Sequence, residues 1–269
     1  MFRDCGHVIE MNFSHFDTSQ VTDMRAMFRD CKLLKSLDLS NFKTSNVGGK
    51  GIIADMFWDC NSLEYLNISS FDTSKITGLG HMFSGCFSLK SLDLSNFDTK
   101  NVQFMDYMFD RCYNLTYLNL SNFQTPSVVD ISFIFNDCIS LEIVDISNFN
   151  TKIVSDMRSI FQNCKSLSYI NLSNFDTINA NTMAAMFMEC HSLVFLDISN
   201  FETKNVFNFG HMFYNCNSLT SLNLSNFITN NVEYMDNMFN GCNNLNILNL
   251  SNFNTAKVKT MENMFKGCS

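Results

Sequence analysis

Proline and tryptophan each occur once in this 269-residue chain. No run of eighteen or more apolar residues is present, which excludes a helix spanning a membrane directly. Residues 1–15 lack a basic stretch followed by an apolar one, so no signal peptide is read in them. Basic side chains are few: 18 Lys and Arg stand against 26 Asp and Glu, for a net charge of −8. No basic face is left to neutralise a phosphate backbone, so a nucleic-acid partner is excluded. There is no C-x-x-C pair, and the five His residues form no ligand cluster, so neither a metal nor any other cofactor is expected.

Phenylalanine is abundant, with 28 copies against 7 Tyr. Such skew marks a short pattern copied many times. The cysteines give its period. They fall at 5, 31, 60, 86, 112, 138, 164, 190, 216, 242 and 268, so nine of the ten intervals are 26 residues and one is 29. Ten copies are thus expected to form one solenoid over 1–269, starting at Cys5, Cys31, Cys60, Cys86, Cys112, Cys138, Cys164, Cys190, Cys216 and Cys242. Met1–Cys5 already fits the end of a copy and Cys268 opens another, so the array reads as uncapped at both ends and as a piece of a longer one.

Counting each Cys as position 0, and allowing for the one insertion, the columns divide by chemistry. Position 3 is Leu in nine copies, and positions 11 and 23 are Phe in every one, while position 9 is always Ser and position 13 always Thr. Positions 6 and 8 are apolar and alternate with polar neighbours, as in Leu92-Asp93-Leu94-Ser95, which predicts a short β-strand. Positions 16, 19, 22, 23 and 26 (Val102, Met105, Met108, Phe109 and Cys112) recur at steps of three and four, which predicts a short helix or helical turn. The fold class expected is therefore an α/β solenoid, with parallel strands on one face and short helices or helical turns on the other.

The unit running from Cys86 to Cys112, CFSLKSLDLSNFDTKNVQFMDYMFDRC, resembles the BspA-like leucine-rich-repeat surface proteins of bacteria, and the likeness covers the whole chain. The resemblance implies a leucine-rich-repeat-like fold, a location at the cell surface or outside the cell, and adhesion to a protein or glycan on another cell or matrix. The pattern departs from ordinary leucine-rich repeats in one respect. Phe holds the place of the usual ladder Asn, which moves next to it, to position 10, in eight copies. The curvature and the backbone bonding of that turn are left open.

Most columns read as architecture. Equivalent residues one strand apart lie ~4.8 Å apart with parallel side-chain vectors, whereas a disulfide needs converging ones; the thiols are expected to pack as small buried hydrophobes. The Met column reads as core filler. The stretch Gly48-Gly49-Lys50-Gly51 lacks the spacing of a phosphate loop and reads as a three-residue insertion. Ser and Asp occur as columns, without the single convergent cluster that catalysis requires, so no enzyme is read here.

Two columns share the outward strand face with Ser. Position 7 alternates Asp and Asn, which keeps carboxylates two strands apart and limits their repulsion. Position 5 varies and carries Tyr65, Tyr117, Ile143, Tyr169 and Phe195. These five, with Asp93, Asp145 and Asp197 beside them, are the candidate binding residues, because large apolar side chains on a polar face mark interaction surfaces. A passive stalk and an intracellular scaffold are the alternatives.

Overall fold

A computed structural model describes residues 1–48 and 53–268. Gly49, Lys50 and Gly51 of the insertion lie outside the described residues. The chain winds as a right-through stack of coils in which each position sits over its equivalent in the next copy. A single apolar core runs along it from Phe13 to Met264.

The strand side forms as the alternation requires. Among the described residues there are six short strands: β1 (Ser36–Asp38), β2 (Tyr65–Asn67), β3 (Tyr117–Asn119), β4 (Ile143–Asp145), β5 (Ser221–Leu222) and β6 (Ile247–Leu248). They pair in parallel as β1–β2, β3–β4 and β5–β6, with Tyr117 opposite Ile143 and Ser221 opposite Ile247. Leu37 and Leu118, at position 6, point into the core, while their neighbours at positions 5 and 7 face solvent.

The opposite side differs from the expectation. Among the described residues there is no helix. The steps of three and four arise from consecutive turns with two left-handed residues per coil, such as His81 (φ 55°) and Gly85 (φ 74°), or Tyr107 (φ 54°) and Arg111 (φ 57°). A left-handed residue ends helical propagation, at a cost of about 1–2 kcal/mol for a residue with a Cβ. Backbone bonding offsets that cost. The N–H groups of Leu79, His81, Phe83 and Gly85 donate to the carbonyls of Phe104, Asp106, Met108 and Asp110 in the next coil. Those of Met82, Ser84 and Cys86 donate back three residues, to Leu79, His81 and Phe83. Every N–H from 81 to 86 thereby has a partner, half of them between coils.

Two ladders tie coil to coil at the corners. Asn96 Nδ2 donates to the carbonyls of Ile68 (3.1 Å) and Phe71 (2.8 Å) one coil earlier, and Asn122, Asn200, Asn226 and Asn252 repeat the arrangement. This is the asparagine ladder, one place before the Phe. The buried Thr column forms the second. Thr73 Oγ1 donates to the Asp98 carbonyl (2.9 Å) and accepts from the Asp98 N–H (2.8 Å), so one hydroxyl satisfies a whole residue of the next coil. Nine of the eleven thiols are buried as expected, Cys5 and Cys268 are half-buried, and those from Cys31 onward also donate along the stack: Cys112 Sγ lies 3.3 Å from the Phe83 carbonyl and Cys138 Sγ 3.1 Å from that of Phe109.

Ring spacings differ from column to column. In the core, Phe83, Phe109, Phe135 and Phe161 stack at 5.6 to 5.7 Å. On the turn side His81, Tyr107 and Phe133 are 4.6 and 4.5 Å apart. Near the strand ends Phe97, Phe123 and Phe149 are 6.2 and 6.4 Å apart. Bridges on the turn side run unbroken from Gly78 to Thr260, whereas strand pairing is interrupted. Pairing between coils is thus continuous along the turns and intermittent along the strands.

Candidate functional site

The strand face is built from positions 5, 7 and 9. Strand alternation turns Tyr65, Tyr117, Ile143, Tyr169 and Phe195 outward, and each remains 52–62% exposed. Tyr117, Ile143, Tyr169 and Phe195 come from four consecutive coils and make one continuous apolar row. Shallow depressions open on this face, among them one of about 210 Å³ beside Tyr169 and Phe195 and one of about 370 Å³ between Phe195 and Ile247.

Asp93, Asp145 and Asp197 stand beside the row, and their first commitment is structural. In each, Oδ1 accepts the N–H of the Ser two residues on, at 3.0 Å. Asn119, Asn171 and Asn223 do the same at 2.9 to 3.1 Å. Position 7 therefore requires a side-chain carbonyl-type oxygen closing an Asx turn. Asp and Asn serve that turn equally, which leaves their alternation to be set by charge repulsion. The Ser95 N–H bound to its oxygen holds the Asp93 carboxyl below the usual carboxylate range. The Ser199 hydroxyl and N–H do so at Asp197. Both side chains are anionic at neutral pH.

A second cluster, on the turn face, was not picked out from the sequence. Trp58, His81, Tyr107 and Phe133 stack face to face at 4.7, 4.6 and 4.5 Å. Arg29 covers the free face of Trp58, its guanidinium carbon 3.7 Å from the ring. Asp106 sits 3.7 Å from His81, and burial, then the nearby Asp130, pushes its carboxyl above the usual range. These residues are half-buried, and Arg29 Nε, Trp58 Nε1 and His81 Nδ1 have no hydrogen-bond partner, so it is the packing of the ring faces that braces coil against coil. The column at position 21 could have shown it, since it carries rings in three consecutive copies. No three His, Cys, Asp or Glu side chains converge as metal ligands among the described residues, nor is any helix there long and apolar enough to cross a membrane.

Parallel strands on one side, a repeated Asn ladder and a continuous core define a leucine-rich-repeat solenoid. A leucine-rich-repeat protein from Eubacterium ventriosum matches with a TM-score of 0.50 at 17% identity, over 84% of this chain and 57% of that one. A leucine-rich cell surface protein from Faecalibacterium prausnitzii matches at 0.40 and 16%, over 84% of this chain and 76% of its own. The Treponema pallidum leucine-rich-repeat protein does so at 0.40 and 19%, over 64% and 72%. The chain belongs to the DUF285 family, described as Mycoplasma protein of unknown function, whose pattern matches residues 1–116, 51–142, 82–195, 113–222 and 189–269. No curated protein matches it.

Proposed function

We propose that this chain is a non-catalytic interaction module, displayed at a bacterial cell surface, that contacts a protein or glycan of another cell or matrix through its outward strand face. The observation that carries this reading is the row Tyr117, Ile143, Tyr169 and Phe195, all more than half exposed in consecutive coils of an otherwise polar face. Holding such rings in water is unfavourable by about 25 cal/mol per Å² of apolar surface, and a partner recovers that on burial. Binding energy concentrates in anchors of this kind. The ionised Asp93 and Asp197 bias the rim toward partners with basic groups. The surface location rests on the resemblance of the repeat unit to the BspA-like proteins.

The test is the triple replacement of Tyr117, Tyr169 and Phe195 by Ser, the residue already present at Ser36, Ser91 and Ser221 of the same column. Circular dichroism and the melting temperature are expected to stay unchanged, while attachment of the chain to host cells and immobilised matrix falls at least tenfold. Undiminished attachment by a folded variant would move the contact to the turns. No attachment by the parent chain would favour a spacer.

A further inference from the structure

Position 5 does not carry a uniform row. Ser221 separates Phe195 from Ile247, so two bulky side chains, 59% and 70% exposed, stand on either side of a coil with a small one. The depression of about 370 Å³ opens there, lined by Phe195, Asp197, Ser199, Ser221, Asn223, Ile247 and Asn249 among others. That volume is within the range of small-molecule sites, about 300–1,000 Å³. Its walls are two coils apart, at least ~9.6 Å at the strand spacing. One ring touching both walls at contact distances of ~3.5–4.0 Å occupies most of that gap.

The floor of the slot is polar, and its polarity has a pattern. The Ser199, Ser225 and Ser251 N–H groups each take the Oδ1 of Asp197, Asn223 and Asn249, all at 3.0 Å. A backbone donor requires an oxygen, so the assignment of these amides is fixed by the turn. What each turn leaves over is Asp197 Oδ2, an ionised acceptor, and the Nδ2 donors of Asn223 and Asn249. The slot thus offers two apolar walls, one anionic acceptor, two amide donors, and the hydroxyl of Ser221.

We infer that the Phe195–Ser221–Ile247 slot is a subsite for a single pyranose ring of a neutral saccharide. A pyranose has apolar C–H faces and an edge of hydroxyls that both donate and accept. Its faces suit Phe195 and Ile247, and adjacent hydroxyls suit an acceptor beside a donor. An aromatic side chain from a protein would fill the same space but strip water from Asp197, Asn223 and Asn249 without replacing it, which disfavours it. An anionic sugar would meet Asp197. The related arrangement Tyr65–Ser91–Tyr117 adjoins a smaller depression of about 290 Å³, lined by Asp93, Tyr117 and Asn119 but not by Tyr65. The slot at Ser221 is therefore the larger of the two, and the one that both bulky neighbours line.

The inference rests on the strand-face reading only in sharing Phe195, and the experiment separates them. Saturation-transfer NMR on the whole chain would use the methyl pyranosides of glucose, galactose, mannose and N-acetylglucosamine, with N-acetyltyrosinamide as the peptide probe. At least one pyranoside is expected to bind with millimolar affinity. Ser221→Tyr, a residue the column already accepts, should weaken it at least tenfold at an unchanged melting temperature, and Ile247→Ser should weaken it too. Absence of pyranoside binding, an unaffected Ser221→Tyr variant, or preferential binding of N-acetyltyrosinamide would overturn the inference. Loss of cell attachment in the triple variant beside absent pyranoside binding would sink this subsite alone. Pyranoside binding lost in Ser221→Tyr, with attachment untouched in the triple variant, would sink the broader reading alone.

Discussion

Replacing Thr151 by Val tests what holds one coil to the next. Thr151 is 1% exposed, and its hydroxyl donates to the Asp176 carbonyl at 2.8 Å while accepting from the Asp176 N–H at 2.9 Å. Valine has nearly the same shape but neither donor nor acceptor, so both peptide groups of Asp176 lose their partner. An unsatisfied buried group costs about 1–3 kcal/mol. Water reaches part of Asp176, so the lower half of the summed range applies, about 2–4 kcal/mol. Thr151→Ser keeps both bonds and loses one methyl, for about 1 kcal/mol. Urea denaturation followed by circular dichroism reads the difference. Because coils contact only their neighbours, the valine variant should unfold in two steps divided near residue 164, whereas the serine variant should remain cooperative. A valine variant as stable as the serine one would refute the reasoning, since burial of the Thr methyl would then explain the column without its hydroxyl.

Phe161→Ala removes a ring stacked 5.7 Å from both Phe135 and Phe187 and is expected to cost about 3–5 kcal/mol; a melting curve equal to that of the parent would place the core elsewhere. The thiol column should stay unbonded and resist alkylation in the native state, and mass spectrometry of unreduced protein detecting linked peptides from adjacent coils would disprove it. Burial pushes the Cys31 thiol up to about 11 and that of Cys242 up to about 12. Unfolded thiols release their protons near ~8.5, so the folded state holds them more tightly. Stability should be level below about pH 8 and decline as pH rises from there toward the folded values. Urea midpoints from pH 7 to 10.5 would show this, with a shallower decline when Cys138 and Cys164 are both Ala.

Inside and outside were legible at almost every column because a copied pattern averages away local noise. Leu118 and Phe123 had to be core, and Tyr117 had to face out, on alternation alone. The turn side was not legible from spacing, since apolar residues at steps of three and four satisfy both a helix and a run of tight turns. A second signal was available at position 25, occupied by Asp4, Asp30, Asp59, Gly85, Asp137, Asn163, Asn215, Gly241 and Gly267, with Arg111 and Glu189 the two exceptions. Gly, Asn and Asp are the residues that tolerate left-handed backbone, and a column so composed is incompatible with an uninterrupted helix. Position 21 gives no such warning: Tyr107 and Phe133 are forced left-handed by bonds to the next coil, which no property of a single copy announces. The paired depressions on the strand face were equally hidden, because they depend on which copies carry Ser at position 5 between two larger neighbours.

Hydrogen bonding by Thr and Asn links each coil only to the one beside it, in most copies through equivalent atoms. Any coil can therefore serve as neighbour to any other. Excising one period, for example residues 139–164, would set Phe135 against Phe187 and Thr125 against Asp176, restoring every bond type at the new junction. Unequal exchange between copies of the gene would then yield shorter or longer arrays without an unfolded intermediate sequence. Length, and the order in which bulky and small residues follow one another along the strand face, could vary by recombination alone. A lineage could alter what it grips by shuffling whole coils, leaving the chemistry of each coil untouched.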